Sequence, residues 1–374
     1  MKAILALEDG TWFAGHSFTG AGEVHGEVIF QTSMSGYQGI LADPAYAGQM
    51  VCLTAPLVGN YGVTLAEVES SRLFCPALIV KECCQQPSNW QAKESLPDYL
   101  SRHGVMGLEG IDTRALTKHL RVHGNMRGVI STQNLSVGDL VLQAKALSSR
   151  CGTNLVFKVA PENPYVWTTN GPEPAAMDGT LPLWPAGQGM RVVVYDFGTH
   201  WETLRLLSAL GLTILVVPPL FPLSLVKALA PQGIFLSSGP GDPAAVPEAL
   251  PLIRELCSLY PMAGLGLGYQ LLGLALGGKS YKLKVGHYGS NYPVQELLSG
   301  KIEISTQNHG FALDISPVKD LQATHIHIHD QSLEGFQHRK LPILGMQYLS
   351  GADVSDQGSL VCRFTNMLVS HHSH

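Results

Sequence analysis

Residues 191–276 alternate between short apolar runs and helix-like runs, and this alternation constrains the fold more than any other feature. Glycine or proline separates most neighbouring runs, and the apolar ones have the length of strands. Continuous apolar strands between helices predict an α/β fold, a parallel sheet covered by helices on both faces. The predicted strands are 191–195, 212–217, 233–236 and 262–265, and the predicted helices are 202–210, 223–229, 247–258 and 270–276.

Glycine-rich segments are predicted at the carboxyl ends of two of these strands, where such sheets bind ligands, and a polar segment lies further along the chain. Residues 264–270 read Gly-Leu-Gly-Leu-Gly-Tyr-Gln, a sharp turn from a strand into a helix, and its centre is Gly266. Residues 233–243 run from a strand into a Gly-Pro loop, and residues 307–311 are predicted to form a polar turn. A strand-to-helix elbow normally presents one reactive side chain beside the backbone N–H groups of the helix start. Gly266 has no side chain to present.

The chain is predicted to form two domains, residues 1–153 and 191–374. Residues 154–190 contain six prolines and several glycines, which predicts a linker. The first domain is predicted to be a mixed α/β domain whose topology the sequence does not reveal. Within it we predict a strand at 24–31, loops at 31–38 and 43–46, and a helix capped at its N-terminus by Asp112.

Composition and charge exclude several functional classes. The chain is 45% hydrophobic and 14% charged, with a net charge of −5 and no basic run, so nucleic-acid binding is not expected. The seven cysteines include no Cys-x-x-Cys pair, which favours a reducing, cytoplasmic compartment. Residues 206–226 carry no charge, but Gly211 and three prolines interrupt them, so we predict no membrane span.

The three segments together resemble the glutaminase domain of class I glutamine amidotransferases, which contains a flavodoxin-like parallel sheet. In that family the elbow reads Gly-Ile-Cys-Leu-Gly-His-Gln. Longer phrases resemble the small subunit of carbamoyl phosphate synthetase over nearly the whole chain. These phrases lie at residues 26–30, 32–38, 59–62, 110–116, 195–198 and 237–243.

The resemblance implies an activity and a partner. In the family, the cysteine attacks glutamine to form a glutamyl thioester, and a histidine oriented by a glutamate moves the protons. The ammonia released passes to a large subunit, which combines it with bicarbonate and ATP to make carbamoyl phosphate for pyrimidine and arginine synthesis. ATP and a divalent metal are therefore expected only in the large subunit, and no cofactor or metal is expected in this chain.

Carried over position by position, the resemblance implies that the catalytic triad is absent. Gly266 stands at the cysteine position, Leu349 at the histidine position and Gly351 at the glutamate position, while Tyr269 replaces the elbow histidine. A thiolate and its base are both needed to cleave an amide at neutral pH, so we predict an inactive glutaminase.

The residues that would contact glutamine are better retained, and weak glutamine binding is the expectation. Four of the family's residues near the site are replaced: a serine by Ala45, an asparagine by Ser238, a lysine by His200 and a histidine by Tyr292. The expected glutamine-binding positions are Ala45, Gly239, Gly241, Leu267, Gln270, Asn308, Gly310 and Phe311.

The sequence also admits four other interpretations. The first is a non-catalytic binding or regulatory protein that keeps the amidotransferase fold. The second is a nucleotide loop at 264–268, which the Gly-x-Gly-x-Gly spacing disfavours. The third is a metal site at His325, His327 and His329. We expect instead a strand whose histidines face the solvent and whose isoleucines face inward. The fourth is a serine nucleophile, Ser237 or Ser238, with His309 as its base, for which the sequence offers no residue that orients His309.

Overall fold

The computed structural model describes residues 1–149, 151–187, 189–349 and 358–372. The chain divides into two compact units. The first comprises Met1–Thr153 together with Lys284–Asn291, and the second comprises Asn154–Leu283 together with Tyr292–His374.

In the described part of the first unit, seven strands close into a barrel in the order β1-β2-β6-β5-β4-β3-β7. The β3–β4, β4–β5 and β5–β6 pairs are parallel and the others antiparallel, which is the mixed character expected from the sequence. The strands are β1 Lys2–Leu7, β2 Trp12–Ser17, β3 Glu23–Gln31, β4 Gln49–Leu53, β5 Ala77–Ile79, β6 Met106–Glu109 and β7 Met126–Ser131.

Helices in the first unit follow from local sequence signals. The helices are α1 Tyr37–Ala42, α2 Leu96–Arg102, α3 Thr113–His123 and α4 Val137–Ala146, with 3-10 turns at Pro44–Tyr46 and Leu65–Glu67. The Asp112 carboxylate accepts a 2.8 Å hydrogen bond from the Ala115 N–H, so the predicted cap of α3 is confirmed. The predicted loops at 31–38 and 43–46 contain the start of α1 and a 3-10 turn, because Tyr37 and Leu41 are apolar residues that bury on one side of a short helix.

The second unit contains a sheet with eleven strands in the described residues, ordered β17-β16-β18-β19-β20-β15-β14-β12-β13-β8-β9. Its centre, β13-β12-β14-β15-β20, is parallel, as the alternating pattern predicts. The strands are β8 Tyr165–Thr168, β9 Gly171–Pro174, β10 Met177–Asp178, β11 Leu181–Pro182, β12 Arg191–Tyr195, β13 Thr213–Val217, β14 Gly233–Leu236, β15 Met262–Leu265, β16 Lys279–Glu296, β17 Ile302–Asp314, β18 Leu321–His327, β19 Leu333–His338 and β20 Ile343–Met346; β10 and β11 pair apart from this sheet.

Both faces of the parallel strands are buried, which explains their continuous apolar runs. Val193 packs in one hydrophobic cluster, and its neighbours Val192 and Val194 pack in another on the opposite face. Each fully buried aliphatic side chain of this kind contributes roughly 1.5–3 kcal/mol. The helices of this unit are α5 Val156–Val159, α6 Trp201–Ala209, α7 Leu223–Leu229, α8 Ala249–Cys257, α9 Leu267–Ala275 and α10 Leu360–His372, with a 3-10 turn at Pro243–Ala245.

The segment expected to be a linker, 154–190, contributes to the sheet of the second unit. Strand β8 pairs with β13, and the Tyr165 hydroxyl donates a 2.9 Å hydrogen bond to Asp196. The proline-containing strand β9 lies at the sheet edge, where a residue without an N–H is tolerated. The prolines therefore mark an edge strand and turns, whereas the sequence pattern suggested a loose connection.

The uncharged stretch 206–226 is divided among α6, β13 and α7. In the described ranges of the chain, no helix has both the length and the apolar character needed to cross a bilayer.

Candidate active site at the Gly266 turn

The turn at Gly266 keeps the backbone shape of an elbow that would carry a nucleophile. Strand β15 ends at Leu265, Gly266 has φ 54° and ψ −115°, and α9 begins at the next residue. This conformation costs a residue with a side chain of the order of 1–3 kcal/mol, and glycine adopts it readily. The helix starts three residues earlier than predicted, because the tight turn leaves only Gly266 between strand and helix.

A side chain at Gly266 would be in tight contact with Ser238. A Cβ atom added there would lie 3.2 Å from the Ser238 Cβ and 3.8 Å from the Gln347 carbonyl oxygen. A Cβ at Gly268 would lie only 2.3 Å from the Leu236 carbonyl oxygen, so that position tolerates only glycine. A side chain at Gly266 therefore requires a shift of Ser238 by a few tenths of an ångström, whereas one at Gly268 would collide with backbone.

The loop after β14 packs directly on this turn. The Ser237 carbonyl accepts a 2.9 Å hydrogen bond from the Gly268 N–H. A Cβ at Gly239 would lie 2.4 Å from the Phe197 carbonyl oxygen, so glycine is required there, and Gly241 has φ 96°. The sequence prediction that Gly239 and Gly241 form a backbone loop beside the elbow agrees with this geometry.

Leu267 provides the first backbone N–H of α9. Its side chain is 3% exposed, and no residue in the described ranges accepts a hydrogen bond from its N–H. The N-terminal N–H groups of a helix point away from the helix and suit a developing negative charge. Leu267 therefore keeps the geometry of an oxyanion donor.

Gln270 ties the elbow to its neighbours. The Gln270 side chain is 3% exposed, and its amide nitrogen donates 2.8 Å hydrogen bonds to the Phe311 carbonyl and to Gln347 Oε1. Both of its amide hydrogens are therefore used within the protein, and Gln270 has a structural role here.

The segment 307–311, predicted as a polar turn, lies within strand β17 and is not a turn. Gln307 and His309 are buried, whereas Asn308 and Gly310 are half-buried. This period of two is the pattern of a strand, and it overrides the turn tendency of Asn and Gly. The polar residues of this segment therefore point to two different faces of the sheet.

Ala45 lies in the first unit, in the 3-10 turn Pro44–Tyr46. Its backbone N–H donates a 2.9 Å hydrogen bond to the Asp43 carboxylate. Its methyl side chain has no polar atom to offer a substrate.

The remaining triad positions carry no acid or base within the described residues. Leu349 is half-buried against a hydrophobic cluster, and Gly351 lies outside the described residues. Tyr269 is fully buried, stacks on Phe336 and donates a 3.1 Å hydrogen bond to the Leu333 carbonyl, so it serves the core.

The serine alternative at Ser237 and Ser238 receives no support from the hydrogen bonds. The Ser237 hydroxyl donates to the Ser238 carbonyl at 2.8 Å, and the Ser238 hydroxyl donates to the Gly198 carbonyl at 3.3 Å. The His309 Nδ1 lies 2.8 Å from the Phe311 carbonyl, and its Nε2 lies 3.8 Å from Glu334. His309 is thus held by its own strand and by Glu334.

Glu334 is a buried acid that the sequence analysis missed. It is 0% exposed, and its carboxylate accepts hydrogen bonds from Ser332 at 3.1 Å and Gln307 at 3.2 Å. These bonds satisfy the oxygens of the buried carboxyl group, and with His309 they join β17 to β19. A charged residue inside the apolar run 333–336 was the available signal.

The expected orientation of the histidines in 325–329 is wrong. His325 and His327 are 3% and 1% exposed, whereas His329 is exposed and lies beyond the end of β18. The pairing of β18 with β19 shifts register around His325, and a one-residue shift exchanges the faces of a strand. Burial lowers the pKa of His325 to about 4.

Comparison with known proteins agrees with this geometry. Residues 5–130 match the family profile "Carbamoyl-phosphate synthase small chain, CPSase domain", and residues 193–348 match "Glutamine amidotransferase class-I". Two carbamoyl phosphate synthase small chains from Nitratidesulfovibrio vulgaris, strains Hildenborough and Miyazaki F, are each 53% identical over 370 and 372 residues, covering 98% of both chains. The small chain of Aquifex aeolicus is 44% identical over 347 residues, covering 92% of both chains. The chain therefore belongs to the carbamoyl phosphate synthase small-chain family, with a class I glutamine amidotransferase domain in its second unit.

Proposed function

We propose that this chain is a small chain without glutaminase activity, which binds a synthetase large chain and supports carbamoyl phosphate formation from ammonia. The observation that carries the proposal is Gly266, where the elbow keeps its strained backbone and has no nucleophile. An elbow without a reactive side chain is consistent with a protein that has lost one chemical step and kept its fold.

The loss of glutamine hydrolysis follows from what the reaction needs. Amide cleavage requires a thiolate or a similar nucleophile, a base within hydrogen-bond reach and a group that orients that base. Gly266, Leu349 and Gly351 supply none of these. Removing a triad nucleophile alone costs on the order of 10⁴–10⁶ in rate, so the remaining oxyanion donor would leave no measurable turnover.

The proposed partner follows from the first unit. Residues 5–130 match a profile specific to small chains, and nothing in thiol chemistry requires that barrel. Docking on a large chain is the function that remains for it. On this proposal ATP and a divalent metal bind to the large chain, this chain needs no cofactor, and the complex works in the cytoplasm, supplying pyrimidine and arginine synthesis.

Glutamine is proposed to bind weakly to this pocket. The Gly239 loop and the Leu267 N–H are retained. Ala45 and Ser238, however, stand where the family has a serine and an asparagine, whose side chains form different hydrogen bonds. Losing such polar partners costs a ligand about 1–3 kcal/mol each.

The test is reconstitution with a large chain followed by paired assays with glutamine and with ammonium. We expect a stable complex, product with ammonium, and no glutamate released from glutamine above a blank without protein. A matched complex with an active small chain provides the control for glutamine use. Failure to form a complex at micromolar concentration would favour a regulatory protein, and equal rates with both nitrogen donors would reveal an unrecognised active site.

A further inference from the structure

A cleft of about 410 Å³ lies in the second unit, apart from the Gly266 turn. One wall is the end of α5 and residues 160–162, and the other is the loop Pro218–Pro222 after β13. Its volume falls in the range of about 300–1,000 Å³ that is typical of sites for small molecules. The cleft also lies at the carboxyl end of a strand in an α/β sheet, where ligands commonly bind.

The walls of the cleft are apolar and rigid. Phe157 exposes 49% of its surface beside the cleft, and Pro219 and Phe221 are buried beneath it. Proline has a fixed φ, so little backbone entropy is lost when a ligand settles against this loop. The Tyr195 hydroxyl holds the loop in place through a 3.0 Å hydrogen bond to the Phe221 carbonyl.

The cleft has one charged side chain, that of Glu162. Four of its nine lining residues are prolines, which have no N–H, and the N–H groups of Ala160 and Phe221 donate to the carbonyls of Val156 and Pro218. Glu162 is exposed, and among the described residues it forms no ion pair. A carboxylate beside an apolar surface is complementary to a positively charged ligand and repels an anion.

We infer that this cleft binds a small organic cation, an ammonium or guanidinium group carried on an apolar body. The cationic group pairs with the Glu162 carboxylate, and the apolar body packs against Phe157 and Pro219. The aromatic face of Phe157 adds a favourable interaction with a cation nearby.

The experiment titrates the full chain with three probes of similar shape by calorimetry or ligand-observed NMR. The probes are phenethylammonium, which is cationic, phenethyl alcohol, which is neutral, and phenylacetate, which is anionic. We expect phenethylammonium to bind in the micromolar range, at least tenfold more tightly than either of the others, and more weakly as salt is raised.

Two variants test the assigned residues. Glu162→Gln and Phe157→Ala should each weaken phenethylammonium binding about tenfold or more, while Glu255→Gln, an exposed change on α8, should leave it unchanged. Equal affinity for the three probes, binding only at millimolar concentration, or unchanged affinity in Glu162→Gln would each overturn the assignment.

Discussion

At the scale of single residues, Gly266 gives the elbow its backbone shape without supplying a reactive side chain. The change Gly266→Cys places a thiol at the elbow, with its Cβ atom 3.2 Å from that of Ser238, a tight contact that requires Ser238 to shift slightly. We expect no glutaminase activity, because Leu349 provides no base and an unassisted thiol stays mostly protonated at neutral pH. The measurement is glutamate release over a blank, with Gly266→Ala as the matched control.

Both Gly266 variants should also lose stability by about 1–3 kcal/mol, since a side chain is strained at φ 54°. Denaturant unfolding of the two variants checks this value. Glutamine turnover in Gly266→Cys and not in Gly266→Ala would show that a base other than position 349 serves the elbow.

His325 gives a second prediction at this scale, for stability against pH. Its pKa is about 4 in the folded chain because of burial, against about 6.5 when unfolded. The folded state therefore favours neutral His325, and its stability is full above pH 6.5 and falls as the pH drops towards 4, by up to about 3 kcal/mol.

The variant His325→Gln cannot gain a proton, so its stability should fall less between pH 7 and pH 4 than that of the parent chain. Chemical unfolding at several pH values measures the difference, which we expect to be about 2–3 kcal/mol. His329→Gln removes an exposed histidine and is the control. Parallel pH profiles for the parent chain and His325→Gln would contradict the burial argument.

At the scale of elements, the sequence predicted best where one signal dominated. Strands 191–195, 233–236 and 262–265 were predicted with the observed bounds, because apolar runs bounded by turns have few alternatives. The histidine strand failed because its register shifts within β18. The cluster around Glu334 was missed because it depends on the pairing of distant strands, which periodicity does not report.

The segment 154–190 supplies a prediction about elements. Strand β8 covers one edge of β13, and its Val166 and Trp167 are buried. A fragment of residues 154–374 should therefore be more soluble and melt at a higher temperature than one of residues 191–374, which exposes that edge. Circular dichroism melts and size-exclusion chromatography compare them. Identical melting of the two fragments would mean that the segment behaves as a linker after all.

At the scale of the whole molecule, the sequence revealed the family and the second unit, while the barrel of the first unit came only from the structure. The parallel sheet could be predicted because each strand carries its own apolar signal. The barrel closes through pairs such as β1–β7, whose members are far apart in the sequence, and no local pattern encodes that pairing. The prediction of an absent triad came from the elbow, because the elbow has a characteristic sequence of its own.

The last prediction concerns the assembled complex. The triple change Gly266→Cys, Leu349→His and Gly351→Glu is the smallest that returns a nucleophile, a base and an orienting acid. Because triad members act as a unit, we expect each single and double variant to remain at the blank. The triple variant should release glutamate on the order of 10²-fold faster than the blank, and its complex should begin to use glutamine.

The gain should stop well short of a fully active enzyme. Tyr348 precedes the new base, is 2% exposed and donates a hydrogen bond to Glu303, which fixes the chain where the base must enter the site. A misplacement of about 1 Å costs roughly 10²-fold in rate. The test measures glutamate release and carbamoyl phosphate formation, with glutamine and with ammonium, in the same complex. A triple variant that stays at the blank while still forming the complex would show that the elbow has lost more than its three reactive groups.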